Sequence, residues 1–422
     1  MDTKLANQKF SNNLPLSDQT GNLELTMKLL KQKYQQLWLE TEMTFPEFLE
    51  SYPSKRKKEI EQETTIFLNR LTKKQQHQEF NHTQGFEGVL KKEEHDIEKL
   101  CNLAGLYIDK QFSEGFDRST KIFMKKAKQF DPSLKPENIY QAMRNVWIMN
   151  SLQILMNLDM YCSNSMFAYS MLYPYSDNIN DDVVKSIDAK FRMNRNFKAW
   201  LEGNSCPYQN ETERKIYLLI KMIEEEFPRD KYPEVFQSLL SIYNAQIKSL
   251  IQQKQNSNPH KVDILDISLE KGGTSVLADG YLINGIMDKN QEDFCFGYGA
   301  FLQFADDIQD VCIDKENSHS TLFSQMADNN YLDELANKLF NFMLKVVNLH
   351  LSDTAYNRLR TLIVENCNFM VLGAIGKNRQ LYSPKYIKEI EIHFPFTFPY
   401  FKIAKKRLKQ MLLKANPDSF KN

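Results

Sequence analysis

The chain has 422 residues, of which 42% are hydrophobic and 12% aromatic, so it is long enough to bury a large core. Its 54 acidic and 54 basic residues give a formal net charge of zero, which argues against the broad basic surface of a nucleic-acid-binding protein. No apolar run approaches the ~20 residues that span a membrane. The 6 cysteines lack CxxC spacing, as expected for reduced thiols in the cytoplasm.

The first part of the chain is predicted to be a polar tail followed by helices. Residues 1–22 are polar, and we expect them to be flexible. From residue 23 to residue 422 we expect a single domain, with its core at about 120–410. Apolar residues recur at helical spacing from Leu23 onward, and strand-like alternation is missing. The prediction is an all-α fold, an antiparallel helical bundle around a central active-site cavity.

A first acidic cluster lies in a helix predicted from Ser163 to Asp188. Asp177 and Asp181 are four residues apart, so on a helix they lie one above the other, and Asp182 follows directly. Taken alone, such a pair is more often a solvated helix face or a helix cap than a metal site. Aromatic side chains precede it within about three turns, namely Phe167, Tyr169 and Tyr173.

Basic residues follow this cluster, and another precedes the next acidic stretch. Far along the chain, Lys271 is followed by the pair Gly272 and Gly273. One interpretation is that the glycines start a helix whose N-terminal N–H groups bind an anion together with Lys271. The other is a close-packed kink in a helix, and the sequence leaves both open. The residues after the first cluster fit a solvated face and diphosphate binding equally well; they are Lys185, Lys190, Arg192, Arg195 and Lys198.

The stretch 297–314 has the most distinctive pattern. It contains no proline and, after Gly299, no glycine, which predicts a helix. Asp306, Asp310 and Asp314 recur every four residues and form one carboxylate stripe, with Asp307 beside it. Like charges at this spacing destabilise a helix by a few tenths of a kcal/mol per pair, about 0.2–0.5. We therefore expect a cation here, and aspartate oxygens are ligands suited to Mg²⁺.

The residues Gly299-Ala-Phe-Leu-Gln303-Phe-Ala-Asp306-Asp307-Ile-Gln-Asp310 follow the pattern GxxLQxxDDxxD. Together with the upstream acidic pair, this pattern resembles the class I isoprenoid synthase superfamily, which includes trans-prenyltransferases, squalene and phytoene synthases and terpene cyclases. Within the superfamily the chain is similar to a bacterial class 1 isoprenoid biosynthesis group. The resemblance covers residues 120–410.

The first acidic motif departs from that of the chain-elongating members. Asp177-xxx-Asp181 is nearer the DxxxD of squalene and phytoene synthases than the DDxxD of prenyltransferases. Val183-Val184-Lys185 stand where a chain elongator has paired arginines. The Asp306, Asp310, Asp314 stripe shares the spacing of the cyclase metal triad, though not its Asn-Ser-Glu identity.

The resemblance implies an enzyme that ionises an allylic prenyl diphosphate with the help of two or three Mg²⁺ ions. A terpene synthase or cyclase is the first expectation, with head-to-head and chain-elongating prenyltransferases as rivals. A non-catalytic helical protein that binds a polyprenyl lipid is a hypothesis of a different class. The implied metal ligands are Asp177, Asp181, Asp182, Asp306, Asp307, Asp310 and Asp314, of which Asp177, Asp181, Asp306 and Asp310 are the catalytic ones.

The resemblance also implies a basic diphosphate site and an apolar cavity. The expected partner is a prenyl diphosphate rather than nucleic acid, and no transmembrane segment is expected. Peripheral membrane contact stays open, because the basic run Lys55–Lys58 is compatible with it, although a solvated helix end is the commoner case. The implied diphosphate ligands are Lys185, Arg192, Arg195 and Lys271. The implied cavity lining is Phe167, Tyr169, Tyr173, Tyr298, Phe301, Leu302 and Gln303.

Overall fold

The computed structural model describes residues 23–76, 110–181, 187–253, 263–353 and 357–414. These ranges contain fifteen α-helices and no strand, which confirms the all-α prediction. The predicted tail at residues 1–22 lies outside the described residues. None of the described helices is both long and apolar enough to cross a membrane.

Eight helices precede the central pair. They are α1 (Leu23–Leu39), α2 (Ser54–Gln76), α3 (Lys110–Phe130), α4 (Pro136–Leu155), α5 (Asn164–Asp181), α6 (Ile187–Leu201), α7 (Glu211–Glu226) and α8 (Pro233–Ser249). The central pair is α9 (Ile264–Asn284) and α10 (Lys289–Glu316). The later helices are α11 (Leu322–Met326), α12 (Asp333–His350), α13 (Asn357–Lys377), α14 (Pro384–Glu391) and α15 (Phe398–Lys414).

Helices α9 and α10 form an antiparallel hairpin whose turn follows from its capping residues. Helix α9 ends because Gly285 adopts a left-handed conformation, with φ of 78°, and donates its N–H to the Tyr281 carbonyl at 2.7 Å. Helix α10 begins with a capping box in which Asp288 and Gln291 exchange side-chain and backbone hydrogen bonds. The short turn makes the two helices antiparallel neighbours, and they share the most extensive helix–helix contact.

Gly272 and Gly273 lie inside α9, so the interpretation that they start an anion-binding helix is wrong. Of the alternative, a close-packed kink, the close packing is confirmed, while the two glycines lie within one continuous helix. A Cβ atom on Gly272 would lie 2.4 Å from the Gly299 carbonyl oxygen, and one on Gly299 would lie 2.1 Å from the Gly272 carbonyl oxygen. The two backbones therefore touch directly, which is possible only because neither residue has a side chain.

Helix α5 runs antiparallel to α9, and this register places the acidic motifs at one end of the bundle. The Ser165 hydroxyl donates to the Leu282 carbonyl at 2.8 Å, and the Tyr173 hydroxyl lies 3.2 Å from the Ser275 hydroxyl. Continuing this register puts position 177 level with position 271 of α9, and position 181 level with position 267. The α10 turn at positions 306–307 is at the same level, because Ser268 contacts Asp307.

Candidate functional site

The acidic stripe runs along the C-terminal half of α10, and Asp306 is its most telling member. Water reaches the Asp306 side chain, yet burial among surrounding protein atoms raises its pKa, and the nearby Asp310 raises it further. A carboxylate on the wall of a concavity combines these two properties. It forms no hydrogen bond or ion pair within 4 Å to a described residue, so its charge is opposed only at a distance.

Three positive side chains act on Asp306 from three other helices. Lys271 of α9, Arg144 of α4 and Lys377 at the end of α13 each lower its pKa. Of these, Lys377 forms a direct ion pair with the stripe, 3.0 Å from the Asp310 carboxylate, and also donates to the Gln309 carbonyl at 2.9 Å. The positive charges that act on the acidic stripe are therefore lysine and arginine side chains from three separate helices.

Asp314 continues the stripe, one turn beyond Asp310. It is half-buried, and its burial, together with the charges of Asp310 and Asp306, raises its pKa to about 7. Protons thus compete with any cation for this carboxylate near neutral pH. The repulsion anticipated from the four-residue spacing is present in the folded chain.

Asp307 lies beside the stripe but faces α9. It is buried, accepts a hydrogen bond from Gln303 at 2.8 Å, and lies 3.4 Å from the Ser268 hydroxyl. Burial raises its pKa to about 7. Asp307 and Gln303, expected as metal ligand and cavity lining, are thus engaged with each other in the contact between α9 and α10.

Lys271 lies above the stripe as a side chain from within α9, not at a helix N-terminus. It is half-buried and forms no ion pair with a described residue. Its charge lowers the pKa of Asp306, Asp307 and Asp314, and it also lowers the pKa of His319, after burial, which is the larger cause. The ammonium group of Lys271 is therefore close enough to all four residues to act on their protonation.

The first acidic motif can be located by its backbone. Asp177 and Asp181 are in the last two turns of α5, at the level of Lys271, while their side chains are outside the described part of the structure. Asp182 and Lys185 fall in the undescribed range 182–186. The metal site implied by the resemblance requires both acidic motifs to face one cavity, and this remains a prediction; the backbones of the two motifs lie at the same level along the bundle.

Two further predicted diphosphate ligands lie on α6. Arg192 is half-buried, and its Nε atom is buried with no hydrogen-bond partner among the described residues. Arg195 is exposed, and its charge acts on Cys206 instead. Of the two arginines, Arg192 is therefore better placed to bind an anion.

Tyr169 and Tyr173 line a narrow cleft between α5, α6 and α8. The cleft encloses about 30 Å³, enough for only a few water molecules. Its remaining lining is mostly apolar: Leu172, Phe197, Leu201, Leu239, Ile242, Tyr243 and Gln246. Because Tyr173 is one turn before Asp177, the cleft begins immediately below the first acidic motif.

The other predicted lining residues pack elsewhere. Phe167 contacts the rings of Phe123 and Phe130 on α3. Tyr298 stacks with Phe294 and Phe301 of its own helix, and burial together with the nearby Cys367 of α13 raises its pKa. Phe301 is fully buried, and Leu302 is half-buried against the main core. These are the contacts of core residues, the commoner role of aromatic side chains.

A complete metal site is not preformed in the part of the chain that the structure describes. No three His, Cys, Asp or Glu side chains in that part are grouped so that they could hold an ion. Residues four apart on a helix rise about 6 Å, so one helix cannot surround an ion alone. On its own the stripe could supply at most one side of a metal site, and a second helix would have to supply the rest.

Comparisons with known proteins give no relative. The chain matches no family model, no curated protein and no solved structure. The residues of the site are therefore the only basis for inferring a function.

Asp279 is a buried acid that the sequence interpretation passed over. It lies on α9 with no exposed surface and accepts a hydrogen bond from Asn145 of α4 at 3.0 Å, while its other carboxylate oxygen has no partner in the described structure. Burial raises its pKa to about 8. The signal was available, because Asp279 is the only charged residue in the small and apolar run 272–283.

We expect Asp279→Asn to flatten the dependence of stability on pH. The folded state binds the Asp279 proton more tightly than the unfolded chain, whose aspartate pKa is about 3.9. Its stabilising contribution is therefore complete at low pH and is lost as the pH rises from about 4 to about 8. Urea unfolding of both proteins between pH 4 and pH 9 measures the difference, with Asp230→Asn at an exposed position as control. Parallel curves for wild type and Asp279→Asn would contradict the expectation.

Proposed function

We propose that this chain is a Mg²⁺-dependent class I isoprenoid synthase that ionises an allylic prenyl diphosphate, and that it is a terpene synthase or cyclase. The observation that supports this most is Asp306. It is a water-accessible carboxylate with a raised pKa and no close ionic partner, in line with further acids on the same helix face. Repulsion between these carboxylates destabilises the metal-free protein, and a bound cation would relieve it.

The residues fit Mg²⁺ in part. Asp306, Asp310 and Asp314 would hold ions from α10, and Asp177 and Asp181 would complete the ligand set from α5. When bound, the metal would act as a Lewis acid and stabilise the negative charge that develops on the departing diphosphate. Lys271, which already lies near the stripe, would bind diphosphate oxygens with its ammonium group.

The apolar part of the substrate would occupy the cleft next to Tyr173. An allylic cation reacts with water, so its surroundings must be dry, and the cleft lining is aromatic and aliphatic. Tyrosine faces can stabilise a cation by roughly 0.5–2 kcal/mol each. The cleft has room for only a few water molecules in this structure, so a prenyl chain would have to separate α6 from α5 to enter.

The alternative of a polyprenyl-binding protein without catalysis is less well supported. A lipid-binding helical protein needs the apolar cleft but has no use for clustered carboxylates. Here Asp306 and Asp314 are kept close to Asp310, although burial and then this proximity raise their pKa values. A head-to-head prenyltransferase is the nearest catalytic rival, because the DxxxD spacing of Asp177 and Asp181 is nearer to that class.

The test is to incubate the purified chain with C10 to C20 prenyl diphosphates and Mg²⁺, and to measure both diphosphate release and products by mass spectrometry. We expect release from one substrate and a diphosphate-free hydrocarbon or alcohol of the same carbon number. Chelation with EDTA should abolish release. A doubled carbon number would identify a head-to-head enzyme, and a longer prenyl diphosphate that requires isopentenyl diphosphate would identify a chain elongator. Binding without any release would support the lipid-binding alternative.

A further inference from the structure

The second feature that calls for a function is the surface of the helix pair α2 and α15, remote in sequence from the acidic stripe. The Tyr400 hydroxyl lies 2.8 Å from the Thr65 hydroxyl, and Arg407 donates to the Asn69 side chain at 2.6 Å. Later residues of α15 thus contact later residues of α2, so the two helices run in the same direction. Leu68 and Leu71 pack there as a small separate core, with Ala404 against them.

This packing brings two isoleucines to the same side of the pair. Ile66 directly follows the contact residue Thr65, and Ile403 directly precedes the contact residue Ala404. When two right-handed helices pack in parallel, the residue that follows a contact residue on one helix lies on the same side of the pair as the residue that precedes a contact residue on the other. The e and g positions of a parallel coiled coil have this relationship. Both side chains are largely open to water, Ile66 at 50% and Ile403 at 65% exposure.

Lysines occupy the equivalent positions farther along the pair. Lys73 follows the contact residue Thr72, and Lys406 precedes the contact residue Arg407, and both lysines are exposed. We call Ile66, Lys73, Ile403 and Lys406 the α2/α15 face. Helix α15 contains six basic residues, Lys402, Lys405, Lys406, Arg407, Lys409 and Lys414, and no acidic one, and α2 has no acidic residue after Glu63.

We propose that the α2/α15 face docks the protein on an anionic lipid surface. The chain as a whole is neutral, so this concentration of positive charge is local and complementary to acidic headgroups. Nucleic acid would account for the lysines but not for the two exposed isoleucines on the same face. Side chains of this type, in the plane of an interfacial helix, enter the boundary between headgroups and acyl chains.

Sedimentation of the full chain with vesicles tests the proposal. We expect binding to vesicles with 30 mol% phosphatidylserine, little binding to pure phosphatidylcholine, and weakening at high salt. Each lysine near such a surface contributes about 1 kcal/mol, or roughly fivefold in affinity. Lys73→Glu with Lys406→Glu should therefore weaken binding by at least about 25-fold. The control is Lys28→Glu with Lys231→Glu, which reverses two exposed lysines outside the α2/α15 face and changes the net charge by the same amount. This control variant should bind nearly as well as the wild type.

Insertion is tested separately from attraction. Ile403→Trp should show quenching by brominated lipids in anionic vesicles, because the proposal places this side chain within the headgroup boundary. The proposal is overturned by an absence of quenching in bound protein, by equal losses in the two charge-reversal pairs, or by binding to nucleic acid but not to vesicles. Circular dichroism melts confirm that the exposed substitutions leave the fold intact. None of these measurements depends on prenyl chemistry.

Discussion

Asp306→Asn should reduce diphosphate release by at least about a hundredfold, since the neutral amide is a poor ligand for Mg²⁺. The folded protein should survive the change. Burial and Asp310 disfavour the ionised Asp306 carboxylate in the wild type, so the variant removes a repulsion instead of a bond. The metal-free variant should therefore melt at an equal or higher temperature than the wild type. Asp177→Asn should likewise abolish release without unfolding the chain.

Activity assays and calorimetry with and without Mg²⁺ check both parts of this expectation. Asp230→Asn is the matched control, because Asp230 follows α7, whose Glu226 contacts Ser165 at the opposite end of α5 from the acidic motifs. Added Mg²⁺ should raise the melting temperature of the wild type and of Asp230→Asn, but not that of Asp306→Asn. If Asp306→Asn fails to fold, Asp306 has a structural role and the proposed metal site is wrong.

Gly299→Ala should destabilise the protein by about 2 kcal/mol or more, within the usual range for overpacking. The added methyl group would meet the Gly272 carbonyl oxygen at 2.1 Å, and a main-chain atom cannot move aside as a flexible side chain can. Helices α9 and α10 would have to separate, which disturbs the largest helix contact in the fold. The loss would be larger but for the better helix propensity of alanine, worth up to about 1 kcal/mol.

Gly373→Ala on α13 provides the comparison, because it gains the same helix propensity without the collision. Its Cβ would lie 3.3 Å from a ring carbon of Phe401, whose side chain can adjust. Urea unfolding should therefore show Gly373→Ala close to wild type and Gly299→Ala far below it. Equal stabilities of the two variants would show that α9 and α10 tolerate a wider separation than the structure indicates.

The sequence predicted those features that depend on local spacing. The four-residue recurrence of Asp306, Asp310 and Asp314 is enough to place them on one helix face, because the pitch of an α-helix is fixed. The repulsion between them follows from the same spacing, and after burial it is a further cause of the raised pKa of Asp314. The overall helical class follows equally from periodic apolar residues.

What the sequence could not decide depends on tertiary contacts. Gly272 and Gly273 are compatible with a helix break and with a close helix contact, and only the presence of Gly299 opposite selects the second. Lys377 is 67 residues from Asp310, and nothing in its local sequence marks it as a partner of the stripe. The local sequence around Arg144 in α4 likewise gives no sign that it acts on the stripe. Such assignments require knowing which helices become neighbours.

The contact between Gly272 and Gly299 also bears on how freely the cleft can vary. The distance between α9 and α10 is set by main-chain atoms of Gly272 and Gly299, so side-chain substitutions at other positions leave this contact unchanged. Lys271 and Gln303 are each next to this contact or one turn from it, so their mutual placement is inherited from the backbone. Residues of the cleft, such as Leu172, Leu239 and Ile242, belong to other helices. Substitutions at those three positions can therefore change the shape of the apolar cleft while Lys271 and Gln303 keep their relative positions. Mutation can thus vary the apolar cleft independently of the polar residues.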